Sequence, residues 1–399
     1  MEKFSEEFWR FVKEHQADDV HRLRLKYAGR HDEQVDWAID QIEARKKVDR
    51  KLPLFFQNET LLFPSVLSAE QCSSEDTAIY KQHLVSGRFD TICDLTGGLG
   101  IDSYYLAAVA SRLTYIERFP HYCDVARHNF EVLRQKNIEV RNIDCRDYLS
   151  QPHTPHALYY IDPARRGAGN KRLYNLADCE PSVAEILPIV FAEHAALLLK
   201  ASPMLDITQT IRDFSHISQI HVVAVRNECK EILFLFEPYY QGIPQIYCAH
   251  ETTERDWQTF TFSLEEEALL PSSPDAELKT YLYEPNSAIM KAGAFKSVAV
   301  KYGLDKLAVN THLYTADRYL ADFPGRIFEI IEVVPFSKQI LKRLASRYPQ
   351  ANVSIRNFPL AAEEVRRLGA IKDGGDIYLF ATTINGRKTM IYCKKKMPF

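Results

Sequence analysis

The segment Asp94-Leu-Thr-Gly-Gly-Leu-Gly-Ile-Asp102 constrains this chain more than any other. A short apolar run, Thr91-Ile-Cys-Asp-Leu, leads into it, and Gly97, Gly98 and Gly100 make a tight turn into a helical stretch, Ile101 to Ala110. Glycine admits positive φ and lets a ligand approach the backbone with no Cβ in the way. The same alternation then continues. Strands are expected at Arg112–Glu117, Glu139–Asp144, Ala157–Asp162, Ala195–Lys200, Ile217–Val225 and Glu231–Phe236, with a helix at His121–Arg134. This pattern predicts an α/β fold, a Rossmann-like, mostly parallel sheet wrapped by helices. Strands buried on both faces account for the continuous apolar runs. In such a sheet, a turn at the C-terminal ends of the strands lines the ligand crevice.

The flanks read differently. Phe4, Phe8 and Phe11, then Val35, Ala38, Ile39 and Ile42, recur at helical spacings, so residues 1–65 form an N-terminal helical segment that turns extended near Lys51-Leu-Pro-Leu-Phe-Phe. Ser73 and Ser74 are candidate caps for a helix through Ala78 and Tyr80. The central domain spans residues 66–268, ending with extra strands before the acidic stretch that carries Pro271 and Pro274. A small unit, residues 276–324, holds one helix, Ala288 to Tyr302. A last α+β unit, residues 325–399, closes with a hairpin about Asn385-Gly386.

Composition narrows the class. The chain has 399 residues, 46% apolar and 26% charged, which is ordinary for a globular protein. No run approaches the roughly 18 apolar residues of a membrane helix, and the acidic start lacks the marks of a signal peptide. A soluble, cytoplasmic protein is expected. The eight cysteines contain no C-x-x-C pair and the histidines no H-E-x-x-H, so no metal is implied. The net charge of -3 hides an asymmetry: from Gly325 onward there are 14 Lys/Arg against 6 Asp/Glu. A basic module on an acidic body suggests an anionic partner.

Three features give the glycine turn its chemistry. Glu117 ends the second strand, where a carboxylate can accept both hydrogen bonds of a ribose diol. Asp144-Cys145 ends the third, where an acid and a small residue can meet an adenine edge. Asp162-Pro163 ends the fourth, where a methyl acceptor would have to lie. Taken in order, Asp94/Gly97/Gly98/Gly100, Glu117, Asp144 and Asp162-Pro-Ala-Arg-Arg resemble the class I S-adenosylmethionine (SAM) dependent methyltransferases over roughly residues 89–236. Together with Lys51-Leu-Pro, Glu70-Gln-Cys-Ser-Ser-Glu and Glu284-Pro-Asn, they resemble one bacterial subfamily. Its members join this domain to a ferredoxin-like unit and a C-terminal THUMP-like domain.

The resemblance implies SAM as cofactor, held around Asp94, Thr96, Gly97, Gly98, Gly100, Asp102, Glu117, Asp144, Cys145 and Asp162. By analogy with THUMP domains it implies an RNA substrate. Methyl transfer from a sulfonium is an in-line displacement on an activated donor, so alignment dominates. Asp162 is the candidate for orienting or deprotonating the acceptor. Position 164 is alanine and 165 arginine, so the stacking aromatic of the amino-group methylating enzymes is missing. Cys179 and Cys229 lack the Ser-Cys-Asn setting of the uracil carbon-5 enzymes. Arg165, Arg166, Lys171 and Arg172 concentrate positive charge beside the acceptor position, as a phosphate backbone would require.

Four readings remain on sequence grounds: an RNA methyltransferase, a small-molecule methyltransferase, a SAM-fold binding protein without catalysis, and an NAD-dependent oxidoreductase. Ser103 and the Asp-Pro motif speak against the last. The acceptor atom and the oligomeric state are not encoded in any pattern found.

Overall fold

A computed structural model describes residues 5–29, 32–165, 176, 179–252, 256–271 and 276–396. Six helices open the chain: α1 (Glu6–His15), α2 (Val20–Tyr27), α3 (Glu33–Val48), α4 (Pro53–Gln57), α5 (Val66–Gln71) and α6 (Glu75–Val85). Helix α4 departs from the extended run expected at Lys51. Pro53 opens the helix, where its fixed φ is favourable. The carboxylate of Glu75 accepts from the N–H groups of Leu54 and Phe55, satisfying donors the helix itself leaves open. That partner lies 20 residues downstream, beyond the reach of local pattern.

The alternating series follows: β1 (Thr91–Asp94), α7 (Ile101–Ala107), β2 (Arg112–Glu117), α8 (Pro120–Val132), β3 (Ile138–Asn142), α9 (Cys145–Ser150), β4 (Leu158–Ile161), a short pair β5 (Ala164–Arg165) and β6 (Cys179–Glu180), α10 (Val183–Ala192), β7 (Ala196–Ala201), α11 (Ile207–Asp213), β8 (Ile217–Val225) and β9 (Glu228–Phe236). Two further strands, β10 (Gln245–Glu251) and β11 (Trp257–Phe262), complete a sheet of order β11-β10-β8-β9-β7-β4-β1-β2-β3. Strands β3, β2, β1, β4 and β7 run parallel, and β9 returns antiparallel to β7. The mixed α/β architecture with a Rossmann-like sheet is the one expected.

By packing, the chain divides into two compact units, Met1–Gln219 with Lys230–Gly242, and Ile220–Cys229 with Ile243–Phe399. In the first, Val48, Leu52, Phe55 and Phe63 of the N-terminal segment and Ala78 of α6 form one buried cluster with Leu99, Ile101 and Tyr105. The opening helices therefore support the glycine turn directly, and burial of such side chains is worth about 1.5–3 kcal/mol each.

The second unit contains α12 (Leu264–Leu269), β12 (Tyr281–Pro285), α13 (Ser287–Ala292), α14 (Phe295–Tyr302), β13 (Asp305–Ala308), β14 (Thr311–Ala316), β15 (Gly325–Pro335), α15 (Lys338–Ala345), β16 (Asn352–Arg356), α16 (Ala362–Gly369), β17 (Ile377–Ile384) and β18 (Arg387–Lys396). Strands β12 to β18 make one sheet, ordered β13-β14-β12-β15-β18-β17-β16. The single helix expected over Ala288 to Tyr302 is two. Gly293 adopts φ +82°, and its N–H bonds Ile289 O, which closes α13. Asn385 and Gly386 both have positive φ, which matches the twist of the β17–β18 hairpin. Among the described residues no helix is long and apolar enough to cross a membrane, no group of three or more His, Cys, Asp or Glu could hold a metal, and no cysteine forms a disulfide.

Candidate active site

The turn after β1 is pinned on both sides. Leu95 N–H donates to Tyr160 O of β4, and Gly97 N–H to Ile116 O of β2, each at 2.9 Å. The glycines then divide two tasks. A Cβ on Gly97 would overlap the ring of Tyr115, whose hydroxyl donates to Gly98 O at 2.6 Å. Gly97 is thus small so that the loop can lie on β2. Gly98 has φ +55°, and a Cβ there would meet only Thr96 O at 3.7 Å, with open cleft beyond. This is the position where a ligand can approach the main chain.

Asp94 closes β1 and is buried. Its Oδ1 accepts from Thr96 N–H at 2.9 Å and its Oδ2 from Ser103 Oγ at 2.6 Å. Burial pushes its carboxyl up to about 7, against the two hydrogen bonds and with help from Asp102 and Asp162 nearby. With both oxygens engaged inside the protein, Asp94 shapes the turn. Asp102 also borders the cleft, but its carboxylate accepts from Ser73 Oγ and Tyr160 OH, both at 2.7 Å, and lies 3.2 Å from Lys81 Nζ. Lys81 reaches Glu231 at 2.6 Å. Burial disfavours the charge of Asp102, but Lys81 and Lys200 outweigh it and hold the carboxyl below its usual range.

Glu117 projects from the end of β2 toward the turn. Its Oε2 accepts from Gly98 N–H at 3.1 Å and its Oε1 from Phe119 N–H at 2.9 Å. A carboxylate has about four acceptor sites, so roughly two remain for a diol. Asp144 caps α9 through Arg146 N–H at 2.9 Å, and Cys145 beside it is buried, its thiol pushed up to about 11 by burial. Asp162 follows β4. Its N–H donates to Thr96 Oγ1 at 2.7 Å, and its Oδ2 accepts from Lys200 Nζ at 2.5 Å.

These residues surround two adjoining clefts. One has a cavity volume of about 170 Å³ and is lined by Glu117, Phe119, Ile143, Asp144, Cys145 and Glu180. The other has a cavity volume of about 260 Å³ and runs from Ser68 and Gln71 of α5 past Gly97 to Gly100. Thr96, Glu117, Phe119, Asp162 and Ala164 line both. Gly98 gives a ligand in the larger cleft access to the main chain.

Arg166, Lys171 and Arg172 lie outside the described residues, as does the side chain of Arg165, whose backbone pairs with Cys179. Sequence reasoning missed Arg118, Phe119 and Arg146, where Arg118 and Arg146 pair with Glu180 at the cleft rim. It also missed Lys200. The cue for Phe119 was available, since a large apolar residue two positions after the strand-end acid Glu117 stands in the loop at the mouth of the sheet, where it is half-exposed.

Residues 281–324 match the model of a ferredoxin-like domain, and residues 325–395 that of a THUMP domain-like family. Two strains of Mycobacterium tuberculosis carry an uncharacterised S-adenosylmethionine-dependent methyltransferase 22% identical over 348 residues, covering 85% of this chain and 90% of the relative. A crystal structure from Porphyromonas gingivalis W83, of a protein assigned as a methyltransferase, aligns with 35% identity, a TM-score of 0.88, and coverage of 99% of this chain and 100% of the other. With identity at that level over the full length of both proteins, the chain belongs to the SAM-dependent methyltransferases that carry a ferredoxin-like unit and a THUMP-like domain.

Proposed function

We propose that this enzyme methylates RNA in the cytoplasm, with its cofactor in the paired clefts and the C-terminal basic module helping to recognise the substrate. The observation that carries the site is the convergence of Gly98, Glu117, Asp144 and Asp162, from four successive strand ends, on two adjoining clefts that share Glu117 and Asp162. Bound there, SAM supplies a methyl group already activated on a sulfonium. The chain's residues then have to hold and align. Glu117 fixes the turn through Gly98 and offers its remaining lone pairs to the ribose hydroxyls. Asp144 and Cys145 bound the adenine side, where the half-exposed Phe119 gives a flat apolar face. Asp162 presents a carboxylate where the acceptor must approach, and orients it through a hydrogen bond.

The RNA assignment rests on the THUMP domain-like match and on the surplus of 14 Lys/Arg over 6 Asp/Glu from Gly325 onward. Arg165, Arg166, Lys171 and Arg172 add charge to the same reading. Mass spectrometry of nucleosides from a strain lacking the gene tests it. Loss of one methylated nucleoside, restored by the purified enzyme with SAM, is the expected result. An unchanged nucleoside profile, with methylation of a small molecule instead, sinks the RNA assignment.

A further inference from the structure

Asp162 is held on its protein side by a cation that no motif marks. Lys200, next to last in β7, places Nζ 2.5 Å from Asp162 Oδ2, with the lysine side chain 14% exposed and the aspartate 41%. The backbone of Asp162 is fixed separately by Thr96. Asp102 and Glu231 also act electrostatically on the ammonium, and they in turn share Lys81. Burial works against the charge of Lys200, but the three carboxylates outweigh it and raise its pKa. Lys200 therefore stays an ammonium. It can donate, and it has no lone pair with which to take a proton.

We infer that Lys200 is a positioning residue for methyl transfer, anchoring Oδ2 of Asp162 so that Oδ1 alone is presented to the acceptor. The inference rests on the proposal that Asp162 meets the acceptor. Among the described residues Oδ1 has no hydrogen-bond partner, so a group bearing N–H or O–H can donate to it. Without the ammonium, the carboxylate is free to rotate and both oxygens compete for that contact. A salt bridge whose only role is to neutralise buried charge would behave differently, because its loss would disturb folding and cofactor binding alike.

The test uses the full-length enzyme and five forms: wild type, Lys200→Met, Lys200→Arg, Asp162→Asn and Asp162→Asn/Lys200→Met. Tritiated SAM reports methyl transfer to total RNA and, separately, to the small-molecule fraction of a strain lacking the gene. Lys200→Met is expected to lower kcat about 10- to 100-fold, the scale for a misplaced reacting group, with KM for SAM within about twofold of wild type and partial recovery in Lys200→Arg. The double variant, which removes the pair together and keeps the charge balanced, should be no worse than Asp162→Asn alone. Should Lys200→Met fail to fold, the Lys200→Arg and double variants still decide. Parallel losses of melting temperature, SAM affinity and kcat, or additive losses in the double variant, would overturn the inference. Transfer by wild type to the small-molecule fraction alone overturns the RNA proposal, and the same kcat comparison is then made on that fraction. Transfer to neither fraction overturns both.

Discussion

Ser103 donates its hydroxyl to Asp94 Oδ2 at 2.6 Å, so the position at which a dinucleotide fingerprint would place a small apolar residue instead satisfies the acid that ends β1. Ser103 lies in the first turn of α7, across the glycine turn from Asp94, and Asp94 depends on that partner because it is 1% exposed. Its carboxyl, pushed from 3.8 to about 7 by burial, binds a proton more tightly in the folded chain than in the unfolded one. The resulting stabilisation is complete below pH 3.8 and is lost as pH rises through about 7. Thermal unfolding of the cofactor-free enzyme should therefore show wild type losing stability relative to Asp94→Asn across that window, then running parallel to it above. A constant difference between the two would show that Asp94 titrates as an ordinary carboxylate.

The glycines of the turn should separate stability from binding. Gly97→Ala drives a Cβ into the Tyr115 ring and should cost about 1–3 kcal/mol in chemical denaturation, as overpacking does. Gly98→Ala meets little protein and should cost about 1 kcal/mol for its positive φ, yet weaken SAM binding in calorimetry by more than that. Wild-type affinity for SAM in Gly98→Ala would place the cofactor elsewhere.

The candidate site was partly legible because Asp94, Glu117 and Asp162 each end or directly follow a largely apolar strand, whereas Asp144 follows the mixed, half-exposed strand Ile138–Asn142. Arg112–Glu117 and Ile217–Val225 were bounded as the structure has them, since buried strands leave an unbroken signal. What pattern could not supply was partnership across the chain. Lys200 and Asp162 are 38 residues apart, and Glu231 lies 150 residues from Lys81. In the string Glu70-Gln-Cys-Ser-Ser-Glu the cap was legible, since Ser74 does cap α6, but Ser73 on Asp102 and Glu75 capping α4 depend on partners that no local pattern marks. Likewise, the break of the helix after Ala292 needed a glycine in the left-handed region, and periodicity does not register that.

Lys81 offers a direct measure of that hidden layer. It is fully buried between Asp102 and Glu231. Lys81→Met removes the cation paired directly with both carboxylates and should cost about 3–5 kcal/mol in chemical denaturation, the range for breaking a buried pair. Adding Glu231→Gln should recover part of the loss by removing one of the stranded charges. A loss below about 1 kcal/mol would mean that the pair is well hydrated and carries little.

Glu117 is the sharpest test of cofactor placement. Glu117→Gln keeps the shape but makes one oxygen a donor, so it cannot accept from Gly98 N–H, Phe119 N–H and a ribose diol together. Both Glu117→Gln and Glu117→Ala should weaken SAM binding by about 1.5–3 kcal/mol, the range for hydrogen bonds to a charged group. Calorimetry with unchanged affinity for SAM in both variants would remove Glu117 from the site.

The basic C-terminal surface yields the last prediction. Lys342 and Arg343 on α15 and Arg367 on α16 are solvent-exposed, and no ion pair engages them among the described residues. Arg326 and Arg356 differ, because both are committed to the buried Glu284 and unavailable to a phosphate without breaking that cluster. If the exposed set touches an RNA backbone, the logarithm of affinity should fall linearly with the logarithm of salt, by about 0.7–0.9 for each phosphate contact. Reversing Lys342, Arg343 and Arg367 to Glu in the full-length enzyme should flatten that slope while leaving the heat of SAM binding unchanged. Truncation is the poorer experiment, since β15 pairs with β12 across the proposed boundary at Gly325, and a cut there would expose the edge of one continuous sheet. A slope unaltered by the three reversals excludes the α15–α16 surface as the RNA-binding face. No salt-dependent binding in the wild type would remove the RNA partner itself.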